Sequence, residues 1–312
     1  MRGERLVLSV MTADVGGFVG HISSHPEVMD TAKERLYNAR TKDIIADFHV
    51  MRCGDDLELI VTHRMGLKSA DMRGLAENVF SACAEAAMEV KLHRPAFETL
   101  DAEGVSFGVS EMEFVERQSE PVVIFMNNKT LAGSWNLPMY RIFSDPFNTA
   151  GLIQDKTMLD GFSYNVIDLD EKREIMLRCP EDAYALLSLI GSTSRYVVAG
   201  VYRNNDKEIA ATIGLRAISI TEKGPPLPNE PSLIVRCQSG FPAVGEVIEP
   251  FTTAWTVEGW MRGSHHGPLM PVGLKDAHPS RFDGPPRIVA LRFQLANGML
   301  GAPRDMFDDP GY

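Results

Sequence analysis

The chain has 312 residues, 31 Lys+Arg against 42 Asp+Glu, a formal net charge of −11 and 44% apolar residues. At this length a full core forms without disulfides or structural metals, and an acidic balance with no basic block excludes nucleic acid as an expected partner. No run of about 18 apolar residues and no cleavable leader is present, so a soluble, cytoplasmic chain with no membrane partner is expected. Cys53, Cys83, Cys179 and Cys237 follow no CxxC or Cys/His spacing, which points to a reducing compartment and not to a disulfide framework.

In chain order, residues 5–13 read as a buried strand that ends in the turn Asp14-Val15-Gly16-Gly17, and residues 26–40 have helical spacing with Pro26 in the first turn. Strands at 43–52 and 56–63 flank the tight turn Cys53-Gly54-Asp55-Asp56. Residues 68–93 place Ala, Leu, Val and Met at helical intervals, and 108–117 with 121–127 read as a strand pair. Further strands are expected at 163–169, 173–178, 195–203, 207–216, 232–237 and 286–295, with a helix at 180–190. Strands outnumber helices and many are sequence neighbours, which predicts an α/β (α+β) fold with mainly antiparallel sheets. The Pro-rich stretch 223–231 is too short to separate domains, so a single domain over 1–312 is expected.

Two groups of residues are candidates to carry chemistry. Asp14, His21 and His25 with Asp55 and Asp56 offer hard oxygen donors at strand ends and turns, where a divalent cation relieves the repulsion of paired carboxylates. The alternative is that the aspartates make local turn hydrogen bonds and each His is a satisfied side chain. The second group is the Gly-rich segment 259–268, where small residues let amides approach an anion and Arg262 offers bidentate phosphate contacts. Segments 281–286 and 236–240 add similar turns, and the alternative here is ordinary turn chemistry. No GxSxG elbow, P-loop or GxGxxG occurs, and His265-His266 lacks an HExxH context, so covalent serine chemistry and nucleotide folds have no support.

Longer strings then stand in one order: Ala13-Asp14-Val15-Gly16-Gly17-Phe18-Val19-Gly20-His21, Gly54-Asp55-Asp56-Leu57, Trp135-Asn136-Leu137-Pro138, Asp145-Pro146-Phe147-Asn148-Thr149, Gln238-Ser239-Gly240-Phe241-Pro242, Trp260-Met261-Arg262-Gly263-Ser264-His265, Arg281-Phe282-Asp283-Gly284 and Phe307-Asp308-Asp309-Pro310. Together they resemble the archaeal-type fructose-1,6-bisphosphate aldolase/phosphatase family nearly end to end. The resemblance implies a layered α-β-β-α sandwich, Mg²⁺ dependence, homo-octamers, and an enzyme that joins two triose phosphates through a lysine Schiff base and then removes the 1-phosphate. It implies Asp14, His21, Asp55 and Asp56 as Mg²⁺ ligands, and Gln238, Arg262 and Asp283 as sugar-phosphate contacts. Asp14, Asp55, Asp56 and Lys129 are the catalytic candidates.

The family's Met-Ala-Asp-Lys-Thr reads Met126-Asn127-Asn128-Lys129-Thr130 here, so one charged metal ligand becomes the amide of Asn128. The family's loop Tyr, Schiff-base Lys and following metal-binding Asp align with Pro225, Pro228 and Asn229, with Lys223 nearby. The segment that holds a further Gln ligand is shortened between Arg94 and Gly108, and the sequence reaches Tyr312 before the family's C-terminal helix and Tyr-bearing tail. A one-metal or two-metal site is expected. The leading expectation is a Mg²⁺-dependent phosphatase on fructose 1,6-bisphosphate or a related phosphorylated sugar. Alternatives are a lyase that uses Lys129, Lys223 or a metal-stabilised enolate, and a non-catalytic sugar-phosphate-binding subunit.

Overall fold

The computed structural model describes residues 5–19, 22–92, 100–101, 104–105, 107–128, 130–148, 158–214, 231–253, 255–261, 264–277 and 286–308. The chain begins with β1 (Arg5–Asp14), helix α1 (Pro26–Thr41), β2 (Asp47–Cys53), β3 (Asp56–His63) and helix α2 (Ala70–Glu89). The helix starts follow from local chemistry: Pro26 occupies the first turn of α1, and Ser69 caps α2 by accepting the Met72 N–H. Two expected boundaries shift. The strand read from residue 43 begins at Asp47, because α1 runs to Thr41 and Asp43 adopts φ 55°. The helix read from 68 to 93 is Ala70–Glu89, since Lys68 at φ 59° and the capping Ser69 cannot belong to it.

After the two-residue strands β4 (Leu100–Asp101) and β5 (Gly104–Val105) come β6 (Gly108–Val115), β7 (Glu120–Asn127) and helix α3 (Asn136–Phe143). Strands β8 (Phe162–Asp168), β9 (Arg173–Arg178), β10 (Tyr196–Arg203), β11 (Ile209–Thr212) and β12 (Leu233–Arg236) follow, with a helix at Ala183–Ile190. β11 is shorter than the expected 207–216, because Gly214 turns the chain at φ +76°. A helix at Val244–Ile248 leads to the hairpin β13 (Thr256–Met261) and β14 (Ser264–Pro268), then β15 (Met270–Pro271), β16 (Arg287–Ala296), β17 (Met299–Leu300) and β18 (Arg304–Asp305).

Two sheets result. One has the order β2-β3-β1-β6; the other runs β15-β16-β7-β12-β11-β10-β8-β9, with β17 and β18 added to β16. Its pairings are antiparallel apart from β15 with β16, as expected for strands joined by short connections. Period-two alternation assigns the faces. Leu6, Leu8, Val10 and Ile60 of the first sheet pack with Val122, Ile124, Met126, Ile234, Val289, Leu291 and Phe293 of the second. Met11, Ala13, Leu57 and Leu59 face α1 and α2 instead, while Val123, Phe125, Leu233 and Val235 face Trp135, Met139, Leu186 and Val247 of the far helices. The layers are therefore helix, sheet, sheet, helix, which is the expected sandwich with mainly antiparallel sheets.

Burial of these side chains at roughly 1.5–3 kcal/mol each is the main stabilising term. Phe293 is fully buried between the sheets and meets His49 edge-on at 5.6 Å. Phe293→Ala is expected to cost about 3–5 kcal/mol, read as a lower urea midpoint; a midpoint unchanged from wild type would show that the inter-sheet core does not carry the fold.

Candidate active site

The turn after β1 and the turn between β2 and β3 interlock. Antiparallel register sets Asp14 opposite Asp56 and Thr12 opposite Glu58, and directly opposed residues share a face. That face is the inter-sheet one, so Asp14 and Asp56 stand where the apolar gap between the sheets ends. Asp55 precedes Asp56 in the turn between β2 and β3, and Ser24 Oγ donates to its carbonyl at 2.7 Å. Gly17 presses on it: a Cβ there would lie 2.9 Å from Asp55 Cβ and 2.7 Å from the Ser23 carbonyl oxygen. Gly54 adopts φ +65° and donates its N–H to Ala277 at 2.9 Å, which anchors the turn to the second sheet's side.

Asp55 and Asp56 are only 6% and 9% exposed. Asp14 also serves its turn, accepting the Gly16 N–H at 2.9 Å, so the local and the functional readings of this residue hold together. Three carboxylates from one register pair and one turn are a hard-oxygen set of the kind that suits a small divalent cation. Among the described residues no group of three or more His, Cys, Asp or Glu side chains is placed to hold a metal ion, so the three aspartates do not by themselves close a site. That is compatible with Mg²⁺, which is held by few carboxylates and keeps water or substrate oxygens on its other positions.

Asn128 joins this rim from the second sheet. It is 1% exposed, its Oδ1 accepts the Arg287 N–H at 3.2 Å, and a Cβ on Gly54 would overlap its Nδ2. His25, expected near the cluster, uses Nδ1 as the N-cap acceptor for Glu27 N–H at 3.2 Å and stacks obliquely on Phe18. His21, Lys129, Arg262 and Asp283 lie outside the described residues, as do Lys223, Pro225, Pro228 and Asn229.

Gln238 is not with the cluster. Cys237 N–H donates to Pro121 O, so Gln238 sits beside the start of β7, whereas Asn128 follows its end. Eight strand residues separate the two, about 25 Å at a rise of ~3.3 Å per residue. The loop there is built for shape: Gln238, Ser239 and Gly240 all have positive φ, at 61°, 50° and 95°. Arg117 pays for that backbone by donating to the carbonyls of Gln238 at 2.7 Å, Ser239 at 3.2 Å and Cys237 at 2.9 Å. Glu120, fully buried, accepts from Arg117 and from both Nε and Nη2 of Arg236. The guanidinium groups of Arg117, Arg203 and Arg236 lie 4.6–4.9 Å from the Phe241 ring. A cavity of about 350 Å³ opens at this end, lined by Lys68, Glu111, Tyr202, Glu208 and Arg236 among others.

Sequence reading missed this arginine network and also Glu58, a buried carboxylate that accepts from Thr12 Oγ1 at 2.6 Å and Ser232 Oγ at 3.4 Å. Period-two spacing from Asp56 was the signal that could have found Glu58. A Ser9–His63 contact at 2.9 Å is no nucleophile pair. His63 Nδ1 accepts the Met65 N–H, so Nε2 carries the proton and donates to Ser9; burial pushes the ring's pKa down to about 4. All four cysteines are buried and none forms a disulfide; burial pushes the Cys83 and Cys237 thiols up to about 12. No helix among the described residues is long and apolar enough to cross a membrane.

Comparison with known proteins agrees across the chain. The family model described as fructose-1,6-bisphosphatase matches residues 5–312. A "Fructose-1,6-bisphosphate aldolase/phosphatase" of Moorella thermoacetica is 46% identical over 99% of this chain and 83% of its own length. Proteins of the same name from Ignicoccus hospitalis and Thermococcus kodakarensis are each 46% identical over 99% of this chain, and over 81% and 86% of their own lengths.

Gly54→Ala is expected to disrupt the carboxylate turn, because the new methyl meets Asn128 in a left-handed backbone conformation; a loss of more than about 1 kcal/mol in urea unfolding checks this, and full stability would refute it. The second expectation concerns acid. Burial raises the Glu120 pKa, but the hydrogen bonds and charges of Arg117 and Arg236 outweigh it and hold the carboxyl below its ordinary value. Its stabilising contribution is therefore complete above the unfolded glutamate pKa of about 4.3 and is lost as pH falls through the lower folded value. Glu120→Gln should cost roughly 3 kcal/mol at neutral pH and flatten the acid limb of stability against pH; an unchanged acid limb would remove Glu120 from the network.

Proposed function

The chain belongs to the fructose-1,6-bisphosphatase family, and on that premise we propose that it hydrolyses a phosphate ester of fructose 1,6-bisphosphate, or of a closely related phosphorylated sugar, with Mg²⁺ held at the Asp14–Asp55–Asp56 cluster. The observation that carries the reading is the Asp14–Asp56 register pair, with Asp55 wedged beside it by Gly17. Divalent-metal use is general in the family, and hard carboxylate oxygens with few protein ligands favour Mg²⁺ within that class. When bound, the ion supplies charge neutralisation at the phosphoryl group and polarises water.

The chain's own residues do the rest. Asp14, Asp55 and Asp56 are the residues that would hold the ion at the rim, and a carboxylate oxygen not spent on it would accept the proton of the attacking water. Water oxygen forms the new bond to phosphorus, the ester P–O bond breaks, and a proton reaches the sugar oxygen. The products are inorganic phosphate and a sugar with one phosphate fewer. The aldolase part of the relatives' printed name is not carried over, because proline stands at the family's imine-forming position, Pro228, and cannot form an imine.

Gln238 lies about 25 Å from the cluster along β7, so a substrate small enough to be a sugar bisphosphate does not reach both within one chain. This supports a homo-oligomer in which a second copy brings its Gln238 end to the carboxylates, as the family's octamer allows. Four buried thiols without disulfides support a reducing, cytoplasmic setting.

Two variants test the reading together. Wild type is expected to release phosphate from fructose 1,6-bisphosphate only with Mg²⁺, and Asp55→Ala to lose about 10³-fold or more. Asp55→Ala and Gln238→Ala, each weak alone, should regain up to roughly a quarter of wild-type activity when unfolded and refolded as a mixture, through sites with two intact halves. Full activity in Asp55→Ala would sink the metal assignment, and no recovery in the mixture would sink the shared site.

A further inference from the structure

Two side chains at the rim of the carboxylate cluster, the buried Asn128 and the half-buried Arg287, each hold a buried hydrogen-bonding atom unspent. Asn128 Oδ1 accepts the Arg287 N–H at 3.2 Å, while the Asn128 N–H donates to the Arg287 carbonyl at 3.3 Å. This pair fixes the amide, since exchanging its oxygen and nitrogen would set two donors against each other. Nδ2 is thus the atom that faces the Gly54 turn, and it has no hydrogen-bond partner among the described residues.

Arg287 opens β16 on the same inter-sheet face as Val289 and Leu291. Its Nη1 is buried and likewise without a partner, and Arg287 is in no ion pair among the described residues. Burial lowers its pKa, against the nearby Asp276 carboxylate, which raises it; a guanidinium stays cationic regardless. Buried donors are costly to leave unmade, so both atoms point to a ligand that accepts hydrogen bonds.

An amide N–H and a guanidinium N–H from paired strands have the right polarity for an oxyanion and the wrong one for a cation. We propose that Asn128 and Arg287 form an oxyanion subsite beside the Asp14–Asp55–Asp56 cluster, which takes a phosphoryl oxygen of the substrate, and that Asn128 is a phosphate donor and not a metal ligand. The inference deepens the phosphatase reading and rests on it for the identity of the anion. It also gives the amide a purpose: where a carboxylate would add a cation ligand, this chain adds a donor to the substrate.

The test is calorimetric titration of the full chain with inorganic phosphate and, separately, with Mn²⁺ alone. Wild type is compared with Asn128→Asp, Asn128→Ala and Arg287→Met, and urea midpoints confirm folding. Asn128→Asp keeps an oxygen for the Arg287 N–H, so the fold is retained. Wild type should bind phosphate, Asn128→Asp and Arg287→Met should each weaken it by about tenfold or more, and Asn128→Asp should tighten Mn²⁺ or add a Mn²⁺ site. Asn128→Ala should leave Mn²⁺ affinity unchanged. No phosphate binding by wild type, phosphate affinity insensitive to both variants, or a drop in Mn²⁺ affinity in Asn128→Ala overturns the subsite. Because binding is read without turnover, phosphate binding that responds to the variants in a protein that hydrolyses nothing would uphold the subsite and count against the phosphatase reading alone.

Discussion

Two sheets packed face to face must share one apolar gap, and the two polar ends of this molecule lie where that gap ends. Along each strand, alternate residues point into it, so the positions are set two residues at a time from the apolar core outward. On β1 the series Leu6, Leu8, Val10 gives way to Thr12 and Asp14; on β3, Ile60 gives way to Glu58 and Asp56. On β7 and β16 the same series ends in Asn128 and Arg287. The carboxylates and the donors therefore meet at one rim because four strands run out of apolar side chains at the same level.

The opposite rim obeys the same rule with different chemistry. There the gap closes on Glu120, Arg236 and Arg117, a buried carboxylate shared by two guanidinium groups, with Phe241 as the apolar floor. A buried ion network of this kind stabilises little by itself, and its evident product is geometric: it holds three successive residues at positive φ and so fixes how Gln238 leaves the sheet. One rim carries the proposed chemistry and the other presents the proposed substrate contact, a strand length apart. In the proposed reading, assembly of copies is what would let two ends of one sandwich serve one substrate.

The sandwich also explains why the site tolerates concentrated negative charge. Asp55 is buried on the turn and Asp56 at the end of the apolar gap, and the turn's backbone is pinned by hydrogen bonds from Ser24 to Asp55 and from Gly54 to Ala277. The rigid turn, not the carboxylates' own preference, keeps them together. A cation there would lower the repulsion, and Asn128 and Arg287 of the neighbouring sheet are the donors proposed to meet a phosphoryl group.

The sequence by itself determined the elements that have strong local causes: the buried strand ending at Asp14, the Pro26 start of α1, the Cys53–Asp56 turn, the antiparallel class, and the family through strings such as Gly54-Asp55-Asp56 and Gln238-Ser239-Gly240. It also marked Asp14, Asp55 and Asp56 as one chemical group, because turn carboxylates at strand ends are legible from spacing. It left open which atom of Asn128 faces the rim, that His25 is committed to capping α1, and that Glu58 and the Arg117–Glu120–Arg236 network exist. Those depend on partners more than a hundred residues away in the network's case, and only packing decides which sheet meets which. Above all, no local pattern could place Gln238 at the far end of β7 from the carboxylates, because strand register across two sheets is a tertiary fact, and it is register that turned one list of site residues into two separate places.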